Sequence, residues 1–473
     1  VFGALTSGVE MTKLTFFGAT GTVTGSRFLL EVDGNSLLID CGLFQGLKKN
    51  RLKNWEPFPI SPLEIDRVFL THAHLDHSGY LPRLCKEGFE GKIHCTHATR
   101  DLCEILLRDS GHLQEEDANW ANKRGFSKHR PALPLYTLVD AEKSLSHFEP
   151  CHYGEDIFLD DSLRVKFKDA GHILGSSFVD VKYMKEGTPK RIVFSGDLGR
   201  PARPILRDPV QPFEVDYLIL ESTYGNRLHH NETPERDLAA VINASVDRGG
   251  VLVIPSFAVG RTQQLLYTLR ELEEDKNIPS LPVYVDSPMA IDTTTVFENN
   301  KGYYGLVAKV LEIRGTSILK PQQIKFCRHR DESKALNQIK KNAIIISASG
   351  MATGGRVLHH MRHRLPRSQD TMLFIGYQAE GTRGRTILDG NPTVRIHGED
   401  IPIKARVENI SGFSAHADYN EILAWLIGFN RPPKKTFIVH GEPEASASLA
   451  ERITHKLRWN VVVPKFQEAL MLD

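Results

Sequence analysis

His72-Ala73-His74-Leu75-Asp76-His77 directly follows Asp66-Arg67-Val68-Phe69-Leu70-Thr71, an apolar run with the pattern of a buried strand. Three imidazoles and a carboxylate crowd into this box. These are the ligands of zinc and other borderline first-row metals. His72 and His74, two apart on an extended backbone, project to one side and can hold a single ion. Asp76 and His77, where the chain turns away, can face a second ion. The alternative is a histidine-rich surface loop, which would need no further ligands elsewhere in the chain.

The later sequence supplies such ligands, and each follows an apolar strand. Leu163–Ala170 alternates and ends at Gly171-His172; Arg191–Ser195 leads to Asp197; Val215–Leu220 ends at Glu221; Thr436–Val439 ends at His440. In layered α/β proteins the strand ends open into a shared crevice, so residues distant in sequence can converge there. One site then consists of His72, His74, His172 and Asp197. The other consists of Asp76, His77, His440 and Asp197, with Asp197 bridging. Two such cations would lower the pKa of a water held between them.

The strand and turn pattern divides the chain. Leu14–Phe17, Ser26–Val32 and Ser36–Asp40 are short runs parted by Gly and Asp-Gly signals, an antiparallel meander. The glycine-rich Gly18–Gly25 is followed by a strand pattern where a dinucleotide loop requires a helix, so nucleotide binding there is rejected. Residues 97–124 carry Leu102, Ile105, Leu106 and Leu113 at helical spacing. From Val251 onward, apolar strands (251–257, 283–285, 343–347, 371–375) alternate with helical stretches, including 259–270 and 354–365, as in a small parallel α/β domain. Strand ends bearing histidine then return: 407–411 leads to His416. The expected domains are 1–225 and 401–473, forming one unit, with 226–400 inserted.

Composition agrees with an ordinary globular protein. The 473 residues are 41% hydrophobic and 25% charged, with a net charge of +1. A chain this long implies two or three domains. No apolar run is long enough for a membrane helix, so no membrane partner is expected. The whole-molecule field does not attract phosphate, and a nucleic-acid partner would need local positive patches. Residues 1–10, ahead of Met11, lack the features of a signal peptide and read as a cloning remnant. The six cysteines are scattered without a CxxC pair, which points to reduced thiols in a cytoplasm.

The box at 72–77, the Asp40 strand end, His172 and Asp197 resemble the motifs of the metallo-β-lactamase fold. Glu221 in Glu-Ser-Thr-Tyr-Gly, His416 in Ser-Gly-Phe-Ser-Ala-His-Ala-Asp and His440 in Val-His-Gly-Glu resemble the three further motifs of its β-CASP subgroup. Ser256-Phe-Ala-Val-Gly-Arg-Thr-Gln and Ser349-Gly-Met-Ala-Thr-Gly-Gly-Arg resemble two more of its segments. The resemblance covers nearly the whole chain after Met11, in the family's order, without departure at the seven motif positions. It lies with the RNA-processing members, relatives of the eukaryotic mRNA 3′-end endonuclease. It implies an αββα sandwich with an inserted parallel α/β domain. It also implies two Zn2+ per chain and hydrolysis of RNA phosphodiester bonds. A histidine at position 440 is similar to the RNA-acting branch. Neither the archaeal KH-like extension nor the long C-terminal domain of the RNase J branch is seen.

Within that resemblance Asp76, His416, Glu221 and Asp40 are the candidate catalytic residues. Asp40 would orient a ligating imidazole; read without the family, it is a turn Asp ahead of Gly42. His416 is either the acid for the leaving ribose oxygen or a donor to the scissile phosphate, with Glu221 orienting it. RNA phosphate contacts are expected at two helix starts, Gly260-Arg261-Thr262 and Ser349-Gly350, together with Arg356 and Ser414. Arg383, Arg385 and the basic face 359–364 are further candidates. The remaining histidines, including His94, His97, His229 and His230, are given no role.

The leading expectation is a ribonuclease acting on single-stranded RNA and leaving 5′-phosphate and 3′-hydroxyl ends, with endonuclease action favoured over 5′→3′ exonuclease action. The competing classes are a hydrolase of small esters or thioesters and a non-catalytic RNA-binding subunit. A homodimer is among the states the sequence allows.

Overall fold

A computed structural model describes residues 12–125, 127–212, 214–229, 233–376, 378, 381–410 and 412–473. The cloning-remnant reading of residues 1–10 and the unassigned His230 lie outside them. The chain divides into two compact units: residues 12–201, 208–228 and 416–473 in the first, and residues 202–207 and 229–415 in the second.

In the first unit the alternating runs form the expected meander. Thr12–Phe16, Phe28–Val32 and Asn35–Ile39 pair antiparallel in chain order. Asp33 and Gly34 join the last two with φ of 48° and 86°, the left-handed pair of a tight hairpin turn. Arg67–Phe69, Lys92–Thr96 and Phe148–Cys151 extend this sheet in parallel, and Ala469–Leu472 closes its other edge. The second sheet runs, in order, Val461–Val462, Lys435–Val439, Tyr217–Glu221, Thr188–Phe194, Ser177–Lys185, Arg164–Asp169 and Asp156–Phe158. Alternate residues of both sheets, among them Leu14, Leu37, Val165, Val181, Ile192 and Ile219, fill the space between them. Each such buried side chain contributes about 1.5–3 kcal/mol.

Helices cover the outer faces. His97–Arg124, capped by the Thr96 hydroxyl, packs beside the first sheet. Tyr419–Ile427 and Pro443–Leu457 place Ile422, Leu426, Leu449 and Ile453 on Phe178, Val193, Leu218 and Ile438 of the second. The layers are therefore αββα.

The second unit is a six-stranded sheet, parallel throughout: Ile324–Phe326, Val283–Val285, Ala343–Ser347, Val251–Pro255, Thr371–Ile375 and Arg406–Ile410. Its strands Ala343–Ser347, Val251–Pro255 and Thr371–Ile375 are buried on both faces, which is why they read as continuous apolar runs without alternation. The expected boundary at 400/401 moves to 415/416, because Arg406–Ile410 hydrogen-bonds to Thr371–Ile375 as the edge strand of this sheet. The helix expected from Gly354 starts at Val357, since Gly355 sits at φ 76° and breaks the helical path. Among the described residues no helix is long and apolar enough to cross a membrane.

Candidate metal centre

The strand ends of the first unit converge as expected. Asp197 lies at their centre, 2% exposed. Its Oδ2 is 3.3 Å from His72 Nε2 and 3.5 Å from His172 Nε2, and His74 Nδ1 is 3.1 and 3.4 Å from the same two nitrogens. Asp197 Oδ1 is 3.3 Å from His77 Nε2, which is 3.2 Å from His440 Nε2; that nitrogen is 3.5 Å from Asp76 Oδ2. The first grouping is the one read from the sequence; in the second, Asp76, His77 and His440 come together without Asp197 as a fourth member.

These separations test the fit of a metal. Ligand atoms about 2.0–2.1 Å from a tetrahedral zinc stand about 3.3–3.4 Å from one another. The observed edges, 3.1–3.5 Å, match that figure. Several of the contacts bring nitrogen against nitrogen, where at most one proton can be shared. Asp197 Oδ1 is buried without a hydrogen-bond donor, a costly state unless a cation satisfies it. The donor set fits divalent metal of the zinc type.

Protonation states agree. Burial first, and the charge of neighbouring His77 second, push His72 down to about 3. Burial also lowers His74 and His172. All three are neutral imidazoles at pH 7, the form that donates a lone pair. Burial opposes the charge on Asp197, but His440, His77 and His72 outweigh it and hold the carboxyl well below its ordinary range. Asp76 is lowered likewise, burial opposing and its hydrogen bond with His440 prevailing. For His77, burial is outweighed by Asp197 and Asp40, so in the metal-free protein the ring is held protonated.

Neighbouring groups orient these rings. Asp40 Oδ2 accepts from His77 Nδ1 at 2.7 Å and from the Thr71 hydroxyl at 2.9 Å, while its Oδ1 takes the Thr71 N–H. The carboxylate thus does more than turn the chain. Thr71 Oγ1 also lies 3.0 Å from His72 Nδ1, and Thr223 Oγ1 lies 3.1 Å from His440 Nδ1. Neither threonine stood out in the sequence. Their only signal is adjacency, one residue before the box and two after Glu221. Asp40 (φ 60°) and His440 (φ 50°) both adopt the left-handed conformation, at a cost of order 1–3 kcal/mol each. Gly42 is needed beside them: a Cβ there would come 1.6 Å from the Asp76 carbonyl oxygen.

His416 stands next to this cluster. Its Nδ1 is 3.1 Å from Glu221 Oε1, and its ring lies 4.5 Å from that of His172. The same Glu221 oxygen accepts the Leu198 N–H, and Oε2 accepts the Thr223 N–H. Burial works against a charged His416, but the Glu221 and Asp197 carboxylates outweigh it and raise the ring to about 9. The Asp418–Glu421 capping box of the following helix fixes the loop that carries it.

The expected phosphate contacts of the second unit fare differently. The structure brings the 256–262 and 349–356 segments together, with Gly350 packed so closely on Phe257 that a Cβ would come within 2.7 Å. Thr262, however, is buried, and its hydroxyl donates to the Phe257 carbonyl at 2.8 Å. The N–H groups of Arg261 and Thr262 are spent on Val259 and Phe257 carbonyls, so this helix start offers no anion cradle. Arg261 reaches the Ile375 carbonyl. Ser349 and Gly350 open a loop, not a helix, in which Ser349 Oγ meets Thr353 Oγ1. Arg356 is engaged by Asp286 and the Cys327 and Arg328 carbonyls. Arg383 donates to three carbonyls and Arg385 pairs with Asp389. Ser414 is buried. The face 359–364 is not a basic stripe: His360 and Arg364 are buried and Arg362 pairs with Glu399. Gly260 caps the helix at φ 76°.

The sandwich, the strand-end histidines and the inserted parallel domain define a metallo-β-lactamase with a β-CASP domain. Family profiles agree: metallo-beta-lactamase superfamily over residues 21–240, Beta-Casp domain over 262–387, and Zn-dependent metallo-hydrolase RNA specificity domain over 400–464. The chain is 37% identical over 441 residues to Ribonuclease TTHA0252 of Thermus thermophilus, covering 93% of this chain and 95% of that protein. It is 31% identical to an RNase J-like protein of Methanocaldococcus jannaschii, over 96% of this chain and 98% of the relative. It is also 31% identical to the transcription termination factor FttA of Methanosarcina mazei, over 96% and 70%. A crystal structure of a protein of unknown function from Enterococcus faecalis V583 shares the fold, with a TM-score of 0.55 at 13% identity, over 98% of this chain and all of the other. The chain belongs to the β-CASP group of the metallo-β-lactamase superfamily.

Proposed function

We propose that this protein is a zinc-dependent ribonuclease, an endonuclease that hydrolyses single-stranded RNA and leaves 5′-phosphate and 3′-hydroxyl ends. One observation carries the reading: a four-donor set (His72, His74, His172, Asp197) lies against a three-donor set (Asp76, His77, His440), Asp197 Oδ1 standing 3.3 Å from His77 Nε2, with the His416–Glu221 pair beside them. The relatives named as ribonuclease, RNase J-like protein and termination factor support RNA as the polymer.

His72, His74, His172 and Asp197 would hold one zinc; Asp76, His77, His440 and Asp197 the other. Zinc bound there supplies Lewis acidity and lowers the pKa of an attacking water. The chain's own groups do the rest. Asp40 fixes the tautomer of His77, keeping its Nε2 aimed inward, and Thr223 holds the His440 ring in place. Glu221 occupies His416 Nδ1 and favours the imidazolium, so the Nε2 proton is the one delivered to the departing 3′-oxygen. All six cysteines are free, which supports a reducing cytoplasm as the working compartment.

Zinc-loaded protein incubated with single-stranded RNA, labelled in turn at each end, tests the proposal. Internal fragments ending in 3′-hydroxyl are expected. Mononucleotide release would make it an exonuclease. A cyclic phosphate would sink the water mechanism, and intact RNA beside hydrolysed thioester would overturn the ribonuclease reading.

A further inference from the structure

The second sheet of the first unit carries a feature that the metal centre does not use. Its inward positions fill the core and its far end is roofed by helices, but the outward positions of Asp156–Phe158, Arg164–Asp169, Ser177–Lys185 and the start of Thr188–Phe194 line an open groove of about 370 Å3. Four residues form one cross-strand row there. Phe158 lies opposite Arg164, Arg164 opposite Lys182, and Lys182 opposite Arg191. With strands spaced about 4.8 Å apart, the row is about 14 Å long. Like charges set directly opposite one another destabilise a sheet; Arg191 has Asp180 as its counter-ion, so the facing pair Arg164 and Lys182 calls for an anion.

The acidic groups nearby do not meet that need. Asp180 is held by Arg191 at 2.6 Å and Lys168 at 3.2 Å. Asp156 serves Lys166 at 3.0 Å and Arg164 only at 3.8 Å. Asp160 and Asp216, at the rim with Asp161 and Glu214, are taken up by Ser162 and by Arg431. Lys182 makes no ion pair among the described residues; burial lowers its pKa, with Arg191, Arg164 and Lys168 adding to the effect and Asp180 opposing it. Phe158 is 64% exposed at the end of the row. An aromatic face beside a line of cations is the arrangement that holds single strands, bases stacking and phosphates paired.

We propose that this groove is a second binding site for single-stranded RNA, with backbone phosphates on Arg164 and Lys182 and a base stacked on Phe158. Arg191 is six residues from Asp197 along the strand and its extension, about 20 Å away. The groove therefore holds a different part of the strand from the part being cut, and it raises affinity for long RNA by keeping the substrate local. That role rests on the ribonuclease reading; the binding itself does not.

The test uses zinc-loaded His416→Ala protein, long unstructured polyuridylate and pentauridylate, with affinity measured across a salt series. Arg164→Gln with Lys182→Gln should weaken polyuridylate about tenfold and flatten the slope of log K against log salt by about 1.4, at about 0.7 per lost phosphate contact. Phe158→Ala alone should weaken it by about tenfold. Pentauridylate binding should not change, and the melting temperature of Lys182→Gln should hold or rise as repulsion is relieved. Unchanged polyuridylate affinity would overturn the proposal, and so would an equal loss for pentauridylate. An equal loss of inorganic polyphosphate with Phe158→Ala silent would make the groove a plain anion site and overturn it too. If the wild type fails to cut RNA while these variants lose affinity, the ribonuclease reading falls and the groove stands.

Discussion

Two buried carboxylates, Asp197 in the first unit and Asp286 in the second, follow strands and sit beside histidine. They end in opposite states. Asp286 is fully partnered: it accepts from His360 Nε2 at 2.7 Å, Ser333 Oγ at 2.6 Å and Arg356 at 2.8 Å. Asp197 faces His72, His77, His172 and His440 but leaves a buried oxygen without a donor. A completed hydrogen-bond shell is structural. An incomplete one, ringed by imidazole nitrogens, is shaped for an ion that the polypeptide does not itself provide.

The widest separation between the two should come from paired substitutions. Asp197→Asn should abolish zinc binding by elemental analysis and reduce RNA cleavage to background, with the metal-free fold intact. Asp286→Asn should keep its zinc and cost about 3 kcal/mol of stability by denaturant titration, since Arg356 and His360 lose their shared charge. If Asp286→Asn lost zinc, or Asp197→Asn retained it, the contrast would be void.

Next in size is His416→Ala. Cleavage should fall about 10²–10⁴-fold, the range for a lost general acid, with the zinc content unchanged. Loss of zinc would move His416 into the ligand set. Smaller again are Asp40→Ala and Thr223→Val, each expected to weaken zinc affinity about 10–100-fold by freeing a ligand ring. Competition with a chelator reads this out directly, and unaltered affinity would reduce both residues to packing.

The subtlest difference is in pH. His416 is raised to about 9 in the folded chain, above the ordinary histidine value of about 6.5. Its pairing with Glu221 thus stabilises the protein fully below that ordinary value, and the benefit disappears as pH rises through about 9. If the imidazolium is the acid, the rate of cleavage falls over the same upper interval. Glu221→Gln removes the largest charge that raises the ring, so the alkaline limb should move to lower pH. An unmoved limb would assign it to another group.

The metal centre was legible in the sequence because its ligands share a local rule: each follows an apolar strand, and strand ends meet. The grouping of Asp197 with His72, His74 and His172 came from that rule. For the expected phosphate contacts the same rule does not report what else a side chain touches. Arg356 and Arg383 look like free cations in one dimension, yet each is claimed by carbonyls from distant segments. Thr262 reads as a phosphate ligand but closes its own turn onto Phe257. The edge strand Arg406–Ile410 was placed on the wrong side of a boundary because strand patterns carry no record of their partner. Thr71 and Thr223 escaped notice because an isolated threonine has no periodic or compositional signal.

The sequence alone determined the kinds of donor, their placement at strand ends and the α/β class, since these depend on residue type and local periodicity. The tertiary structure decided which atoms face one another: which oxygen of Asp197 is left unpaired, which cations are already neutralised, and that Phe158, Arg164, Lys182 and Arg191 stand in one row. Strand register and hydrogen-bond saturation are properties of pairs of segments, and one segment read by itself does not contain them.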